Sequence, residues 1–388
     1  MPQDRIKIVI IGAGLIGPRH AESVVKCPDA LLYAFVDPSP QAAAVAQRFA
    51  VPLYRDIDEL LLAAGRTSND NDNDNDNNTH HNINKSLPDA AIVCSPNATH
   101  VPLSKRLLAA GIHVLVEKPV AITVPSGLDL LHHAKQYEST TGVKALAGHH
   151  RRFNPYVVAA HRALSSNAIG RPLAISGLWA LRKPPSYFQA PTAWRASSQS
   201  GGGPVLINLV HEIDILHYLL GPIVHVYAEQ TLSTRGHDAE EGAAIVLKFE
   251  SGVVGTFLLS DAAPSGHSFE AGTGENPIIP RSGRDFYRVF GAQGTLSVGD
   301  MRVERYRGDG DDDGGEGAWG DEVVEEGLEV GREVPFDEQV GHLVRVVRGL
   351  ESPRCSVEDG LRAVVVAEAV RKAMRTGVPV TIDGMSRL

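Results

Sequence analysis

Along the first third of the chain, short apolar runs alternate with segments whose apolar positions recur at helical spacing. The apolar runs are rich in Val and Ile and predict buried strands at residues 5–11, 31–36, 90–94 and 113–116. The segments between them predict helices at residues 19–26, 40–49, 57–64 and 101–110. This alternation is typical of a doubly wound parallel sheet.

From residue 124 onward the pattern changes. A long helix is predicted at residues 124–141, followed by a strand at 144–148. Further strands are predicted at residues 173–179, 223–232, 243–249, 253–259, 286–291, 295–298 and 301–306. Turn signals such as Glu250-Ser251-Gly252 separate several of them, which indicates a mainly antiparallel sheet. Two helices, at residues 336–350 and 357–376, follow the sheet.

We therefore expect an α/β protein with two domains. The first, at residues 1–123, carries the doubly wound parallel sheet, and the second, at residues 124–388, is an α+β domain with a large, mainly antiparallel sheet. A chain of 388 residues also exceeds the size of one hydrophobic core. An Asn/Asp-rich tract at residues 67–85 and an acidic Gly-rich tract at 308–320 interrupt the pattern, and we expect both to be surface insertions because they cannot bury apolar area.

Composition narrows the setting of the protein. The net charge of −9 argues against a general nucleic-acid surface. No apolar run is long enough for a membrane span, and the first strand begins too early to leave room for a signal peptide. The three cysteines form no CxxC pair and predict a reducing compartment. We therefore expect a cytoplasmic protein without a membrane or nucleic-acid partner.

The most informative motif follows the first predicted strand. Gly12, Gly14 and Gly17 form a GxGxxG turn, with Leu15 and Ile16 between the last two glycines. The first glycine permits the tight turn, the second lets backbone approach a pyrophosphate, and the third lets helix and strand pack closely. The helix that follows would present free N–H groups to the phosphates. We expect these residues to bind a dinucleotide.

Asp37 ends the second predicted strand, 20 residues after Gly17. A carboxylate there can accept hydrogen bonds from ribose hydroxyls and would repel a 2′-phosphate, so the sequence favours NAD over NADP. NADP stays open, because a neighbouring basic group can accommodate the phosphate. The alternative interpretation of Asp37 is a solvated turn residue in Asp-Pro-Ser-Pro.

Further motifs carry a family resemblance. They are CSPNATH at residues 94–100, VEKP at 116–119, RRFNP at 151–155 and GGGPVLINLVHEID at 201–214. Together with the Gly-rich turn they resemble the Gfo/Idh/MocA oxidoreductase family. The resemblance implies an N-terminal Rossmann domain, nicotinamide and a small-molecule substrate in the cleft between domains, and a homodimer or homotetramer formed through the C-terminal sheet. It also implies further cofactor contacts from Ser95, Pro96, Asn97, His100, Glu117 and Lys118.

Two residues are candidates for the proton transfer that accompanies hydride transfer. Lys118 lies at the carboxyl end of a predicted parallel strand, where open α/β sheets bind ligands. His211 is preceded by three glycines, and imidazole titrates near neutral pH. The alternative interpretations are a surface lysine and a core histidine. One departure stands out, since many relatives carry Asp four residues before this histidine and this chain has Ile207.

Other residues are candidates for substrate binding. Asn208, His211 and Asp214 are spaced three apart, which predicts one shared helix face. Arg guanidinium groups can hold a carboxylate or polyol, and Trp can stack on a ring. The set is Arg152, Asn154, Trp194, Arg195, Asn208 and Asp214. The first four residues of this set also have a structural alternative, a salt bridge or core packing.

These features predict an NAD(P)-dependent oxidoreductase that transfers hydride to or from a hydroxyl or carbonyl carbon of a sugar, inositol or hydroxy acid. No His/Cys spacing suggests zinc, and we expect no metal. Two alternative reactions are possible on the same scaffold. One is the reduction of a C=N or C=C bond, and the other is the NAD-dependent cleavage of a glycoside. A non-catalytic NAD-binding regulator is the third alternative, raised by the loss of the relatives' aspartate at Ile207.

Overall fold

The computed structural model describes residues 4–65, 87–307 and 317–382. It contains two compact units, one comprising residues up to His150 with Val334–Leu361, and the other Arg151–Glu333 with the residues from Arg362 onward. The predicted tract at 67–85 lies outside the described residues, as does the 308–316 part of the Gly-rich tract.

The first unit contains a six-stranded, fully parallel sheet. Its strands in chain order are β1 (Ile6–Ile11), β2 (Ala30–Val36), β3 (Leu53–Tyr54), β4 (Ala90–Val93), β5 (His113–Val116) and β6 (Ala145–Ala147). They lie in the order β3-β2-β1-β4-β5-β6, which confirms the predicted doubly wound sheet. The central strands are almost wholly buried, as expected for Val/Ile runs covered on both faces.

Helices flank this sheet. They are α1 (Gly17–Lys26), α2 (Ala42–Phe49), α3 (Ile57–Gly65), α4 (His100–Ala109), α5 (Val124–Thr141) and, much later in the chain, α9 (Pro335–Val347). The bounds of α5 agree with the prediction because both ends carry local signals. The Thr123 hydroxyl accepts a hydrogen bond from the Ser126 amide, and Gly142 adopts a left-handed conformation after the last turn.

The compact units divide the chain at His150 and not at residue 123, where the sequence placed the boundary. Strand β6 hydrogen-bonds to β5, so the chain completes the parallel sheet before it leaves the first unit. Helix α9 also belongs to the first unit, where the Ser23 hydroxyl of α1 donates to Asp337 over 2.6 Å. Sequence periodicity located this helix without indicating which sheet it would cover.

The second unit is built on a nine-stranded, mainly antiparallel sheet. Its strands are β7 (Pro172–Ala180), β8 (Ile223–Gln230), β9 (Gly242–Phe249), β10 (Val254–Ser260), β11 (Tyr287–Gly291), β12 (Thr295–Val298), β13 (Arg302–Tyr306), β14 (Val323–Gly327) and β15 (Val380–Thr381). Their order is β14-β13-β12-β11-β7-β10-β9-β8-β15, and the pair β7–β10 is parallel. This sheet confirms the predicted α+β class.

One face of the large sheet carries the hydrophobic core of the second unit. Helices α6 (Pro155–Ser165), α7 (Val210–Leu220), α8 (Phe269–Thr273) and most of α10 (Val357–Thr376) belong to this unit. Trp179, Phe249 and Phe257 are at most 2% exposed in the core. Gly177 lies where a side chain would clash with the Phe257 ring, so the absence of a Cβ lets that ring lie against the strand. Within the described part of the chain, no helix is both long and apolar enough to cross a bilayer.

Candidate functional site

The Gly-rich turn lies between β1 and α1. Gly12 has φ of +105°, and a Cβ there would lie 2.8 Å from the Cys94 carbonyl. A Cβ on Gly17 would clash with the Gly12 carbonyl oxygen. Gly14 differs, because a Cβ there would meet no protein atom within 4 Å. The protein itself therefore requires the first and third glycines, whereas the second leaves backbone bare toward a ligand.

The start of α1 completes this cradle. Ile16 occupies the N-cap position without a side-chain hydrogen bond to the helix, and the first turn contains no acidic residue. Leu15 is 87% exposed beside it. An uncapped helix N-terminus offers amide donors and the positive end of the helix dipole. The turn therefore fits the pyrophosphate of a dinucleotide.

Asp37 is held against the same turn. Its Oδ2 accepts a hydrogen bond from the Ala13 amide over 2.7 Å, and its Oδ1 accepts one from the Ser39 amide over 2.8 Å. Burial raises the pKa of Asp37, but these hydrogen bonds outweigh burial and the net pKa is lowered. An ionised carboxylate therefore lies beside the Gly-rich turn, and its remaining lone pairs can accept hydrogen bonds from ribose hydroxyls.

The loop after β4 contains Ser95, Pro96 and Asn97 and leads into α4, which begins at His100. The Thr99 hydroxyl donates to Ser95 Oγ over 2.7 Å. His100 was predicted to contact the cofactor, but it is 1% exposed. Its Nδ1 lies 2.8 Å from the Pro119 carbonyl and its Nε2 lies 2.8 Å from the Ser95 carbonyl. The structure therefore supports a role for His100 in joining two loops, in place of direct cofactor binding.

Glu117, also predicted to contact the cofactor, forms a buried pair with a residue that sequence reasoning missed. Its Oε1 lies 2.7 Å from Nε2 of His20 on α1, and the two residues are 6% and 0% exposed. Burial raises the pKa of Glu117, but His20, His150 and Lys118 together lower it to about 2. Glu117 Oε2 accepts a hydrogen bond from the Lys118 amide over 3.1 Å. Glu117 is therefore an internal anion that fixes the backbone of half-buried Lys118.

This pair leads to a stability prediction. A folded pKa below the ordinary value means that the ionised form of Glu117 stabilises the native state at pH values above about 4.5, and that this stabilisation disappears as pH falls toward about 2. We expect Glu117→Gln to lower the free energy of unfolding by roughly 2–3 kcal/mol at pH 7. Urea unfolding of both proteins between pH 7 and pH 3 measures this difference in the free energy of unfolding between Glu117→Gln and the wild type.

The difference in the free energy of unfolding between Glu117→Gln and the wild type should become smaller below pH 4.5. Glu138, which pairs with Lys144 on the surface, provides the matched control. Glu138→Gln should change the free energy of unfolding by less than about 0.5 kcal/mol. If Glu117→Gln lost the same free energy of unfolding at every pH, that result would contradict the role of the ionised carboxylate.

In the second unit, Asn208 and His211 lie at a change of helix type. Residues Val205–Leu209 form a π-helical turn that leads into α7. Asn208 is in the π turn, so the predicted three-residue spacing along one helix face applies only to His211 and Asp214. Asn208 is 8% exposed and His211 6% exposed. π turns inside helices are frequent at functional sites.

Two predicted substrate-binding residues instead bind each other. Arg152 donates from Nη2 to Asp214 Oδ1 over 2.7 Å and from Nε to both carboxylate oxygens over 3.0 and 3.1 Å. Arg152 is 4% exposed and Asp214 is fully buried. The two opposite charges form a bidentate pair, so Arg152 has the salt bridge that its structural alternative describes, and Asp214 is its partner.

Asn154 is also occupied within the protein. Its Oδ1 accepts a hydrogen bond from the Tyr156 amide as the N-cap of α6, and its Nδ2 donates to Glu275 over 3.0 Å. It is 3% exposed. Its local signal, Asn before Pro at a helix start, was present in the sequence and indicates a cap rather than a ligand contact.

Sequence reasoning missed the buried network centred on Arg151. This guanidinium donates to Glu212 over 2.5 Å and to Glu270 over 2.6 Å, while Trp179 Nε1 donates to Glu270 over 2.8 Å. Burial, helped by Glu270, raises the pKa of Glu212 to about 7 against the opposing effect of Arg151. Glu212 is the neighbour of His211 in α7, so the network fixes the turn that carries the candidate histidine.

Trp194 and Arg195 lie in a short 3₁₀ helix, Ala193–Ala196. Trp194 is 38% exposed, and Arg195 Cζ lies 3.9 Å from the ring centroid of Tyr187. The Gly203 amide donates to the Arg195 carbonyl over 3.1 Å, and a Cβ on Gly202 would lie 2.5 Å from that carbonyl oxygen. The glycines therefore hold the Arg195 backbone directly beside the start of the π turn.

Metal binding gains no support from the described residues. They contain no group of three or more His, Cys, Asp or Glu side chains placed to hold a metal ion. His80 and His81, which follow the Asn/Asp tract, lie outside them.

The parallel-sheet and antiparallel-sheet regions of the chain each match a family model, and together these matches identify an NAD-binding oxidoreductase. Residues 6–145 match the model of the oxidoreductase family's NAD-binding Rossmann fold, and residues 161–382 match that of the family's C-terminal alpha/beta domain. The chain therefore belongs to the Gfo/Idh/MocA oxidoreductase family.

Relatives and solved structures match between three quarters and nearly all of the chain. The myo-inositol 2-dehydrogenase of Thermotoga maritima is 25% identical, over 95% of this chain and 96% of the relative. The 1,5-anhydro-D-fructose reductase of Ensifer adhaerens is 26% identical, over 76% of this chain and 80% of the relative. The WlbA dehydrogenase of Bordetella pertussis, solved with NADH and UDP-GlcNAcA, has a TM-score of 0.72 at 18% identity, covering 97% of this chain and 99% of its own.

Proposed function

We propose that this NAD-binding oxidoreductase interconverts a hydroxyl and a carbonyl carbon on a small polyhydroxylated substrate, a sugar, an inositol or a hydroxy acid. The observation that carries the proposal is Lys118, which directly follows the ionised, buried Glu117 at the carboxyl edge of the parallel sheet. Relatives named as inositol dehydrogenases and as an anhydrofructose reductase support the substrate class.

Lys118 and His211 are the proposed acid–base residues. When bound, the nicotinamide supplies the hydride acceptor or donor. The Lys118 ammonium can donate a proton to a substrate oxygen, and its neutral amine can take one from a hydroxyl. An imidazole nitrogen of His211 can do either near neutral pH. The Glu117 carboxylate positions the first group, and the Arg151–Glu212 pair positions the helix of the second.

Titration of the purified protein with NADH and NADPH tests the cofactor half of the proposal. We expect NADH to bind at least about tenfold more tightly than NADPH. The Asp37 carboxylate would accept hydrogen bonds from the ribose hydroxyls of NADH and would repel the 2′-phosphate of NADPH. Asp37→Ala should weaken NADH binding about 10- to 100-fold and remove the discrimination. Calorimetric titration measures both affinities.

Asp89 provides a matched control for Asp37. Its Oδ2 accepts a hydrogen bond from the Lys7 amide over 2.7 Å at the start of β1, so it is also a carboxylate bound to backbone. Asp89→Ala should leave both nucleotide affinities unchanged, because the amino edge of a parallel sheet is not its ligand edge. Preference for NADPH in the wild type would show that Asp37 does not face the 2′ position.

We also propose a homodimer or homotetramer formed through the outer face of the large sheet. Strands β9, β10 and β11 carry apolar side chains that are 40–50% exposed, at Val246, Val254, Leu258 and Phe290. A row of exposed apolar side chains is typical of an interaction surface. Leu258→Asp should convert the assembly to monomers, measured by light scattering. Leu62→Asp on α3, where Leu62 is 69% exposed, should not. A wild-type monomer would contradict this proposal.

A further inference from the structure

A group of cations and aromatic rings in the second unit has no role in the acid–base proposal. Lys183 Nζ lies 4.7 Å from the ring centroid of Tyr187 and 5.2 Å from that of Trp179. Arg195 Cζ lies 3.9 Å from the same Tyr187 ring. Two like charges therefore share one aromatic ring. We call Lys183, Tyr187, Trp194 and Arg195 the cation–aromatic cluster.

Neither cation has a carboxylate partner among residues 4–65, 87–307 and 317–382. No side-chain hydrogen bond or ion pair joins Lys183 or Arg195 to these residues, and the buried Nε of Arg195 finds no acceptor there. A buried donor without an acceptor is unfavourable, so an anion that accepts hydrogen bonds from this guanidinium is favoured there. Burial lowers the pKa of Lys183, and the Arg195 and Arg151 charges add to that effect against Glu270 and Asp261.

The two acids whose charges raise the pKa of Lys183 are already bound to other residues. Glu270 accepts hydrogen bonds from Arg151 over 2.6 Å and from Trp179 over 2.8 Å. Asp261 accepts a hydrogen bond from the guanidinium of Arg235. Because both carboxylates are bound to other residues, the ammonium of Lys183 is available for an external anion.

The cluster is built on a fixed backbone. The Lys183 amide donates to the Asp261 carbonyl over 2.9 Å, and the Arg195 amide donates to Thr192 over 3.0 Å. The Arg195 carbonyl is bound by the Gly203 amide, just before the π turn that leads to His211. Both charges are therefore presented by the unit that also presents His211, and an ordered frame lowers the entropic cost of binding.

We propose that Lys183 and Arg195 bind an anionic group, a carboxylate or a phosphate, on the substrate. Guanidinium binds both groups through paired hydrogen bonds, and an ammonium adds a point charge. The half-exposed Trp194 ring offers an apolar face for a sugar ring. This inference rests on the proposed function and narrows its substrate class to acidic sugars and related hydroxy acids.

Binding to the NADH-saturated protein tests the inference without requiring turnover. The probes are D-glucuronate, its neutral analogue D-glucuronamide, D-glucose 6-phosphate and D-glucose. We expect one of the two acids to bind at least about tenfold more tightly than its neutral counterpart. Glucuronate binding identifies a carboxylate site, and glucose 6-phosphate binding identifies a phosphate site. Equal affinities for acidic and neutral probes, or no binding of either acid at millimolar concentration, would overturn the inference.

Variants assign the preference to the cluster. Lys183→Met and Arg195→Gln should each remove about tenfold or more of the acid preference, while Lys183→Arg should retain most of it. Arg182→Gln removes an exposed charge from the adjacent position and should change nothing. Acid preference that survives Lys183→Met would also overturn the inference. NADH affinity, measured separately, reports on the proposed function, so the two failures are distinguishable.

Discussion

Lys118→Met should lower kcat by about two to four orders of magnitude while NADH affinity changes by only a few-fold. Methionine keeps the length and apolar stem of the side chain but can neither donate nor accept the proton. The backbone should stay in place, because the Glu117 carboxylate also binds the amide of residue 118, which the substitution keeps. Steady-state kinetics over the sugar, inositol and hydroxy-acid panel, together with fluorescence titration of NADH, measures the two effects.

His211→Asn should produce a comparable loss of kcat, because an amide fills similar space but does not titrate. If the two side chains serve the same proton transfer, the double variant should lose much less than the product of the single losses. Lys105→Met is the control for a lost lysine, since Lys105 forms a surface pair with Asp129. Wild-type turnover in Lys118→Met would remove the lysine from the mechanism.

Elements with marked ends were predictable residue by residue. The bounds of β5, α5, β12 and α10 agree with the sequence interpretation. In α5 the signals are Thr123 at the N-cap and Gly142 after the last turn. Strands β3, β14 and β15 were missed because they lie at sheet edges and have two to five residues, so pairing with a neighbour defines them more than periodicity does.

The site was predictable where backbone chemistry defines it. Gly12 and Gly17 have the steric roles that the GxGxxG motif assigns, and Asp37 lies beside that turn. Charged side chains were less predictable, because their partners are distant in sequence. Arg152 and Asp214 are 62 positions apart and neutralise each other.

Position 207 shows another limit of sequence spacing. Ile207 lies in the π turn with Asn208, and sequence spacing assumes an uninterrupted α-helix. With Ile207 at this position, the chain presents His211 with the Asn208 amide nearby in sequence and no carboxylate at residue 207. This arrangement places more weight on the Arg151–Glu212 pair as the support of the histidine helix.

Gly14→Ala should weaken NADH binding by about 100-fold or more and leave the thermal unfolding midpoint within about 2 °C of the wild type. The added Cβ meets no protein atom within 4 Å, so folding is not opposed. It would occupy the space through which backbone approaches the pyrophosphate. Gly17→Ala should have the opposite effect on stability. It should unfold the protein, because its Cβ would clash with the Gly12 carbonyl oxygen.

Differential scanning fluorimetry and NADH titration on the same preparations separate these effects. Gly65→Ala, at the end of α3, is the matched control because its Cβ also meets nothing within 4 Å and the residue lies away from the turn. It should bind NADH like the wild type. If Gly14→Ala also bound NADH like the wild type, the turn would not approach the pyrophosphate at residue 14. The bare backbone at Gly14 would then be a tolerated gap in the surface, and cofactor recognition would rest on Asp37 and the start of α1.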